Sequence, residues 1–236
     1  MYKSPVEASA PSPFPHLSAL GHVETWIFDL DNTLYPPEVD LFALMDVRMT
    51  DYIARLLGVE TGAARALQKG WFRDYGNTLS GLMHHHSIDP CDFLEHVHDI
   101  ALDRLSPDAG LKAAIARLPG RRLIYTNGDA DYAGRVLERL DLTGLFEYVH
   151  DIHACAYVPK PRPEGYASLC TAYDVVPSRA AFFEDMARNL APAKALGMTT
   201  IWLNNGSEWG AEGSHRDFID YETPALAPFL TALFKE

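Results

Sequence analysis

The spacing of apolar and polar positions changes period several times along the chain. Residues 23–30 form a short, nearly continuous apolar run, the pattern of a parallel strand buried on both faces. The run stops at two acids, Asp29 and Asp31, and the period switches after Pro36 and Pro37. Phe42, Met45, Met49, Tyr52, Ile53 and Leu56 then recur mostly at three- and four-residue steps, which predicts an amphipathic helix ending near Gly58. A second helix is expected after Thr61. A third opens at "DPCDFLEHVHDI", with Asp89 as cap and Pro90 in the first helical position.

From residue 107 onward helix and strand alternate. A helix over 111–118 precedes the strand "RRLIYTNG", and a helix with Ala133, Val136, Leu137 and Leu140 on one face precedes a strand over 148–152. A helix after Pro163, the strand "AAFFED", a helix ending near Gly197, the strand "TTIWLN" and a last helix from Pro224 complete the series. Such alternation implies βαβ crossovers and an α/β fold, a parallel sheet with helices on both faces. Residues 23–37 and 107–236 are expected to form this core, with residues 38–106 inserted after the first strand as a helical cap. An insertion there sits over the strand's C-terminal end, the edge at which open α/β sheets bind ligands. Residues 1–22, broken by prolines and lacking a signal peptide's apolar segment, read as a flexible lead-in.

Composition narrows the function. A chain of 236 residues with 47% hydrophobic content can bury one generous core. Its formal charge of −12 argues against a nucleic-acid polymer or an anionic membrane as partner. A small anionic substrate stays compatible, because a cation or a local lysine can invert the field inside a cleft. Cys91, Cys155 and Cys170 show no CxxC spacing and fit reduced thiols. With no run near the roughly 18 apolar residues of a membrane span, the expectation is a soluble, cytoplasmic chain. Nothing in the pattern specifies an oligomeric state.

The candidate chemistry gathers at or just beyond the strand ends. The first strand delivers Asp29, Asp31 and Thr33, and the second delivers Thr126, Asn127 and Gly128. Lys160 stands between prolines in the connection after the third, and the fourth brings Glu184, Asp185 and, one turn on, Asn189. Taken singly, these residues have plainer readings as turn, solvated loop and helix cap. Taken together, successive strands each bring a polar group to one edge. A carboxylate cluster there is costly unless a cation sits among its members. Oxygen ligands without nearby histidine or cysteine favour Mg²⁺ over zinc, and a carboxylate can also act as a nucleophile.

The stretches "DLDNTLY", "TNG", "KPRPEGY" and "FFEDMARN" resemble motifs one to four of the haloacid dehalogenase-like hydrolase superfamily. That resemblance implies a Rossmann-like core with a helical cap after the first strand. The segment "DYGNTLSGLMHHHSIDPCDFLEHVHD", with "IYTNGD" and "FFEDMARNLAPAKALGM", looks most like the pyrimidine 5′-nucleotidase branch. The resemblance makes Asp29 the nucleophile and Asp31 the acid–base partner. Thr126, Asn127 and Gly128 would hold the phosphoryl group, with Lys160 charge-linking it to Asp29. Mg²⁺ would be bound by Asp29, the backbone carbonyl of Asp31, and Asp185, with Glu184 and Asn189 behind them. Asn189 departs from the acid often found at that place. The dehalogenase branch lacks the second aspartate, so Asp31 favours phosphate esters. The expected activity is Mg²⁺-dependent hydrolysis of a nucleoside 5′-monophosphate such as UMP or CMP through an aspartyl-phosphate. Alternatives are a phosphatase or phosphomutase for another small metabolite, or a catalytically silent binding module.

In the helical segment, Tyr75, Asn77 and Thr78 either reach the substrate or simply flank a turn centred on Gly76. His84, His85 and His86, with His96 and His98 downstream, invite a zinc site. Adjacent helical residues point in different directions, so these histidines are read instead as a cap surface or loop with partial substrate contact. Trp202 and Trp209 read as core and surface packing.

Overall fold

The computed structural model describes residues 17–234. Four helices follow the first strand: α1 (Leu41–Leu57), α2 (Thr61–Tyr75), α3 (Thr78–His85) and α4 (Pro90–His98). They pack on one another, α1 against α2 and α4, and α2 against α3. Their ends obey local chemistry. Gly58 (φ 63) closes α1 in the left-handed region, and Asp89 Oδ1 accepts from Cys91 N at 2.9 Å, with Pro90 in the first position of α4. Helix α3 was not separately expected. Gly76 (φ 89) ends α2, and Asn77 starts α3 by accepting from Ser80 N at 2.7 Å.

The remaining helices are α5 (Ala109–Arg117), α6 (Ala130–Arg139), α7 (Pro163–Ala172), α8 (Leu190–Ala195), α9 (Glu208–Ala211) and α10 (Leu226–Ala232). They surround one six-stranded sheet of β1 (Thr25–Phe28), β2 (Arg121–Tyr125), β3 (Tyr148–His150), β4 (Ala180–Glu184), β5 (Thr199–Leu203) and β6 (Tyr221–Thr223). The order is β3-β2-β1-β4-β5-β6, and every pairing is parallel. The sequence-predicted α/β class and Rossmann-like sheet are those observed.

Central strand β1 is buried along its whole length, which accounts for its unbroken apolar run. Phe28 stacks on Phe183 at 4.8 Å on one face, in a cluster reaching Ile115 of α5, Val136 of α6 and Phe229 of α10. Ile27 and Phe182 point to the other face, among Leu169 of α7 and Leu190 of α8.

Several boundaries differ from expectation. Strand β1 is shorter than residues 23–30 because the chain turns at Leu30: Leu34 N donates to Leu30 O at 3.0 Å, and Asn32 takes φ 56. Asp29 stays on the sheet edge, its N donating to Phe183 O at 2.9 Å. Strand β3 stops at His150, and α10 starts at Leu226 rather than Pro224. The short elements α9 and β6 were missed because three or four residues are too few to show a period. Of the expected lead-in, residues 1–16 lie outside the described residues. Its remainder is not a free tail: Leu17 N donates to Leu233 O at 2.9 Å, and Leu20 is buried. No helix among the described residues is long and apolar enough to cross a membrane.

Candidate active site

The sheet order sets β1 between β2 and β4, and the direction of strand addition reverses there, the place where such sheets open a crevice. Phe28 pairs with Ile124 and Phe183, so one residue further Asp29 stands level with Tyr125 and Glu184. Lys160 enters from the β3–α7 connection. Its Nζ donates to Asp29 Oδ1 at 2.6 Å, Glu184 Oε2 at 2.7 Å and the Tyr125 carbonyl at 3.0 Å. Thr33 Oγ1 donates to Asp29 Oδ2 at 3.3 Å, and Gly128 N donates to Thr126 Oγ1 at 3.0 Å. Asn127, assigned to phosphate from sequence, lines the same cavity, and its side chain also clamps the lysine's backbone: Lys160 N donates to Asn127 Oδ1 at 2.8 Å, and Asn127 Nδ2 donates to Lys160 O at 3.4 Å.

The charge balance is uneven. Asp29, Glu184 and Asp185 are all buried, with ligand atoms within 4.8 Å of one another. Against these carboxylates stands the buried ammonium of Lys160, 2% exposed. Burial first, then Glu184, pushes the Asp29 carboxyl up to about 7, and Lys160 only partly offsets this. Burial, Glu184 and Asp29 likewise hold Asp185 well above the usual carboxylate range. For Lys160, burial disfavours the charge, but Asp29 and Glu184 outweigh it and raise its pKa. Such a cluster calls for protons or a further cation, and an all-oxygen donor set fits a hard divalent ion such as Mg²⁺. Asn189 Oδ1 is buried at the same cavity without a hydrogen-bond partner among the described residues, an acceptor available to a water on such an ion.

Asp31 occupies a separate neighbourhood. Its Oδ1 accepts from the hydroxyls of Tyr35 and Tyr132, the latter at 2.8 Å. Burial first, then the charge on Asp31, raises both phenols far from ionisation, so they remain donors. Neither tyrosine had been assigned a role from sequence. Tyr132 lies on α6, remote from every motif aspartate.

A cavity of about 470 Å³ opens over these strand ends, roofed by the helices. Phe42, Met45, Phe72 and Phe93 give it apolar walls, and Asp46, Gln68 and Lys69 add a polar patch. Gln68 Nε2 donates to Asp46 Oδ1 at 2.7 Å, and Lys69 Nζ donates to the same oxygen at 2.5 Å. Phe72 is held from the core side, with the Arg188 guanidinium 5.2 Å from its ring and the Trp209 ring edge-on at 5.8 Å. These residues carry no sequence signal separating a cavity wall from an ordinary core.

Asn77 and Thr78 line the cavity beside the Gly76 turn, whereas Tyr75 is absent from its walls, its hydroxyl 2.9 Å from His85 Nε2. His84 and His85 are exposed at the end of α3, as expected of a surface. His98 is the exception, buried at the cavity wall against α6. Trp202 is buried, donating to Asp185 O at 2.9 Å, and Trp209 is 54% exposed.

Comparison with known proteins agrees with this geometry. The chain is 25% identical over 199 residues to Phosphate metabolism protein 8 of Saccharomyces cerevisiae, a match covering 74% of this chain and 60% of that protein. It is 34% identical over 109 residues to the validoxylamine A 7'-phosphate phosphatase of Streptomyces hygroscopicus subsp. limoneus, covering 44% and 51% respectively. The chain thus spans between half and two thirds of the length of these relatives. The solved structure of a HAD phosphatase from Thermococcus onnurineus shares the fold, with a TM-score of 0.61 at 20% identity over 91% of this chain and 99% of that one. A family model matches residues 23–197, the span that holds every strand end of the site, and the chain belongs to the haloacid dehalogenase-like hydrolases.

Proposed function

We propose that the chain is a Mg²⁺-dependent phosphatase of small phosphate esters, with pyrimidine nucleoside 5′-monophosphates such as UMP and CMP as leading substrates. One observation carries this reading. Asp29 is tied to Lys160, while a second carboxylate two residues on, Asp31, is held apart by two tyrosine hydroxyls. That division suits two roles. The Asp29 carboxylate attacks phosphorus and forms an aspartyl-phosphate as the ester P–O bond breaks. Asp31, protonated at that moment, gives its proton to the departing ester oxygen. Ionised Asp31 then takes a proton from a water that attacks the aspartyl-phosphate, which releases inorganic phosphate and restores Asp29.

Thr126 and the N–H groups of the turn to Gly128 hold the phosphoryl oxygens, and Lys160 keeps that group against Asp29. Asn127 acts through the Lys160 backbone. Asp29, the Asp31 carbonyl and Asp185 would hold Mg²⁺, with Glu184 and Asn189 behind them. The ion supplies positive charge to the carboxylates and to the phosphoryl group. Helices α1–α4 act as the cap. The apolar aromatic walls suit a flat base, and the cavity falls within the roughly 300–1,000 Å³ of small-molecule sites. The phosphatase named among the relatives supports the reaction class. Dehalogenation needs no proton for its leaving group, and the residues spent on positioning Asp31 favour an ester.

A phosphate-release screen over nucleotides, sugar phosphates and other small esters, with and without Mg²⁺, tests both levels. Turnover without a pyrimidine preference rejects the substrate; no Mg²⁺-dependent turnover of any ester rejects the enzyme.

A further inference from the structure

His98, the last residue of α4, has a position that the proposed chemistry does not yet use. Its side chain is nine-tenths buried, with the residue 6% exposed, and its ring lies on that of Tyr132 with centroids 4.4 Å apart and planes 13° from parallel. Nδ1 is paired with Asp129 Oδ2, and the other oxygen of Asp129 accepts from Tyr132 N at 2.7 Å. The backbone is fixed as well, since Arg135 Nη2 donates to His98 O at 2.7 Å. Ring and main chain are therefore held by α6 and the turn preceding it.

The opposite ring nitrogen, Nε2, has no hydrogen-bond partner among the described residues, and the ring borders the same cavity as Asp31, Thr126 and Gly128. The approach to the phosphate-holding turn is close. A Cβ on Gly128 would sit 3.7 Å from His98 Cε1, 3.3 Å from Tyr132 Cδ1 and 3.4 Å from Thr126 Oγ1. A carboxylate on one imidazole nitrogen orients the other. Burial opposes ionisation of Asp129, yet the hydrogen bond with His98 holds its carboxyl below the usual range. With Nδ1 committed to Asp129, Nε2 is the ring nitrogen left for a ligand.

We propose that His98, braced by Asp129, hydrogen-bonds through Nε2 to a polar group on the leaving-group side of the phosphate ester, beside Asp31. Tyr132 lies between the two groups, stacking with His98 and donating to Asp31. His98 is then a substrate-contacting residue that orients the organic part of the ester, and the inference rests on the phosphatase reading above.

Two variants separate this role from a tie between α4 and α6. Asparagine places its amide near the position of Nδ1 and glutamine near that of Nε2. His98→Asn therefore keeps a partner for Asp129 and removes the polar group facing the cavity, while His98→Gln does the reverse. The expected result is a drop in kcat/KM of about tenfold for His98→Asn, the worth of one substrate hydrogen bond, with substantial recovery in His98→Gln. The melting temperature of His98→Asn should stay near wild type, and inhibition by inorganic phosphate, which lacks the organic part, should be unchanged in that variant. A wild-type-like His98→Asn beside a damaged His98→Gln overturns the proposal, as do equal losses with lowered melting temperatures. Weakened inhibition by inorganic phosphate moves the contact to the phosphoryl group and overturns the leaving-group assignment. A wild-type chain that hydrolyses no ester overturns the phosphatase reading itself, and this inference with it.

Discussion

The hydroxyl of Tyr132 donates to Asp31 Oδ1 at 2.8 Å, across 101 positions of sequence, and so joins α6 to the turn after β1. The acid–base role proposed for Asp31 needs a carboxylate of fixed direction, and this hydrogen bond supplies it together with Tyr35. In Tyr132→Phe the ring keeps its stacking and only the donor is lost. A hydrogen bond to a charged group is worth about 1.5–3 kcal/mol, so kcat should fall about 10- to 100-fold, with the melting temperature lowered by no more than several degrees. Steady-state kinetics beside a thermal melt check this, and an unchanged kcat removes Tyr132 from the acid–base machinery.

Asp29→Asn should leave a folded protein with no detectable turnover, because the amide oxygen is too weak a nucleophile toward phosphorus. Circular dichroism establishes the fold, and phosphate release establishes the activity. Residual turnover near wild type would falsify the nucleophile assignment.

Lys160→Met removes the ammonium that faces Asp29 and Glu184. Breaking a buried pair from one side destabilises by about 3–5 kcal/mol. A lowered denaturant midpoint at pH 8 is expected, and the loss should shrink at pH 5, where the carboxylates can take up protons. A pH-independent loss contradicts the charge imbalance drawn here.

The Asp29 carboxyl is raised from 3.8 to about 7 by burial and Glu184 in the metal-free protein. The folded state holds that proton more tightly than the unfolded chain does. Its contribution to stability is fully present below about pH 4 and is lost as pH rises through about 7. A divalent cation must displace the same proton, so Mg²⁺ should raise the melting temperature more at pH 8 than at pH 5. Scanning fluorimetry with and without Mg²⁺ at both values decides it; equal shifts count against Asp29 as a ligand.

Phe72 is clasped between the Arg188 guanidinium and the Trp209 ring, where the helices meet the core. Phe72→Ala should raise KM for a nucleotide several-fold, since it removes apolar wall from the cavity. Turnover of a small aryl phosphate at saturation should change much less. Comparable damage to both substrates places Phe72 in folding rather than in substrate contact.

Much of this was legible in the chain itself. The unbroken apolar run before Asp29, the helical period after Pro37 and the later alternation specify a parallel sheet with helices between its strands, because burial on both faces imposes a distinctive local pattern. Asp29, Asp31, Thr126, Lys160 and Asp185 were readable for a related reason: each lies at a strand end or in the connection beyond one, so topology alone brings them to one edge. Tertiary structure decided which neighbours each would have. Asn127 holds the backbone of Lys160, Tyr75 pairs with His85 outside the cavity walls, and His98 is buried against α6. Tyr132 reaches Asp31, and Phe72 meets Arg188, across long sequence separations. Period and spacing describe which face of its own element a side chain occupies. They carry no information about what another element places opposite it, and the contact of Tyr132 with Asp31 and that of Phe72 with Arg188 are of that second kind.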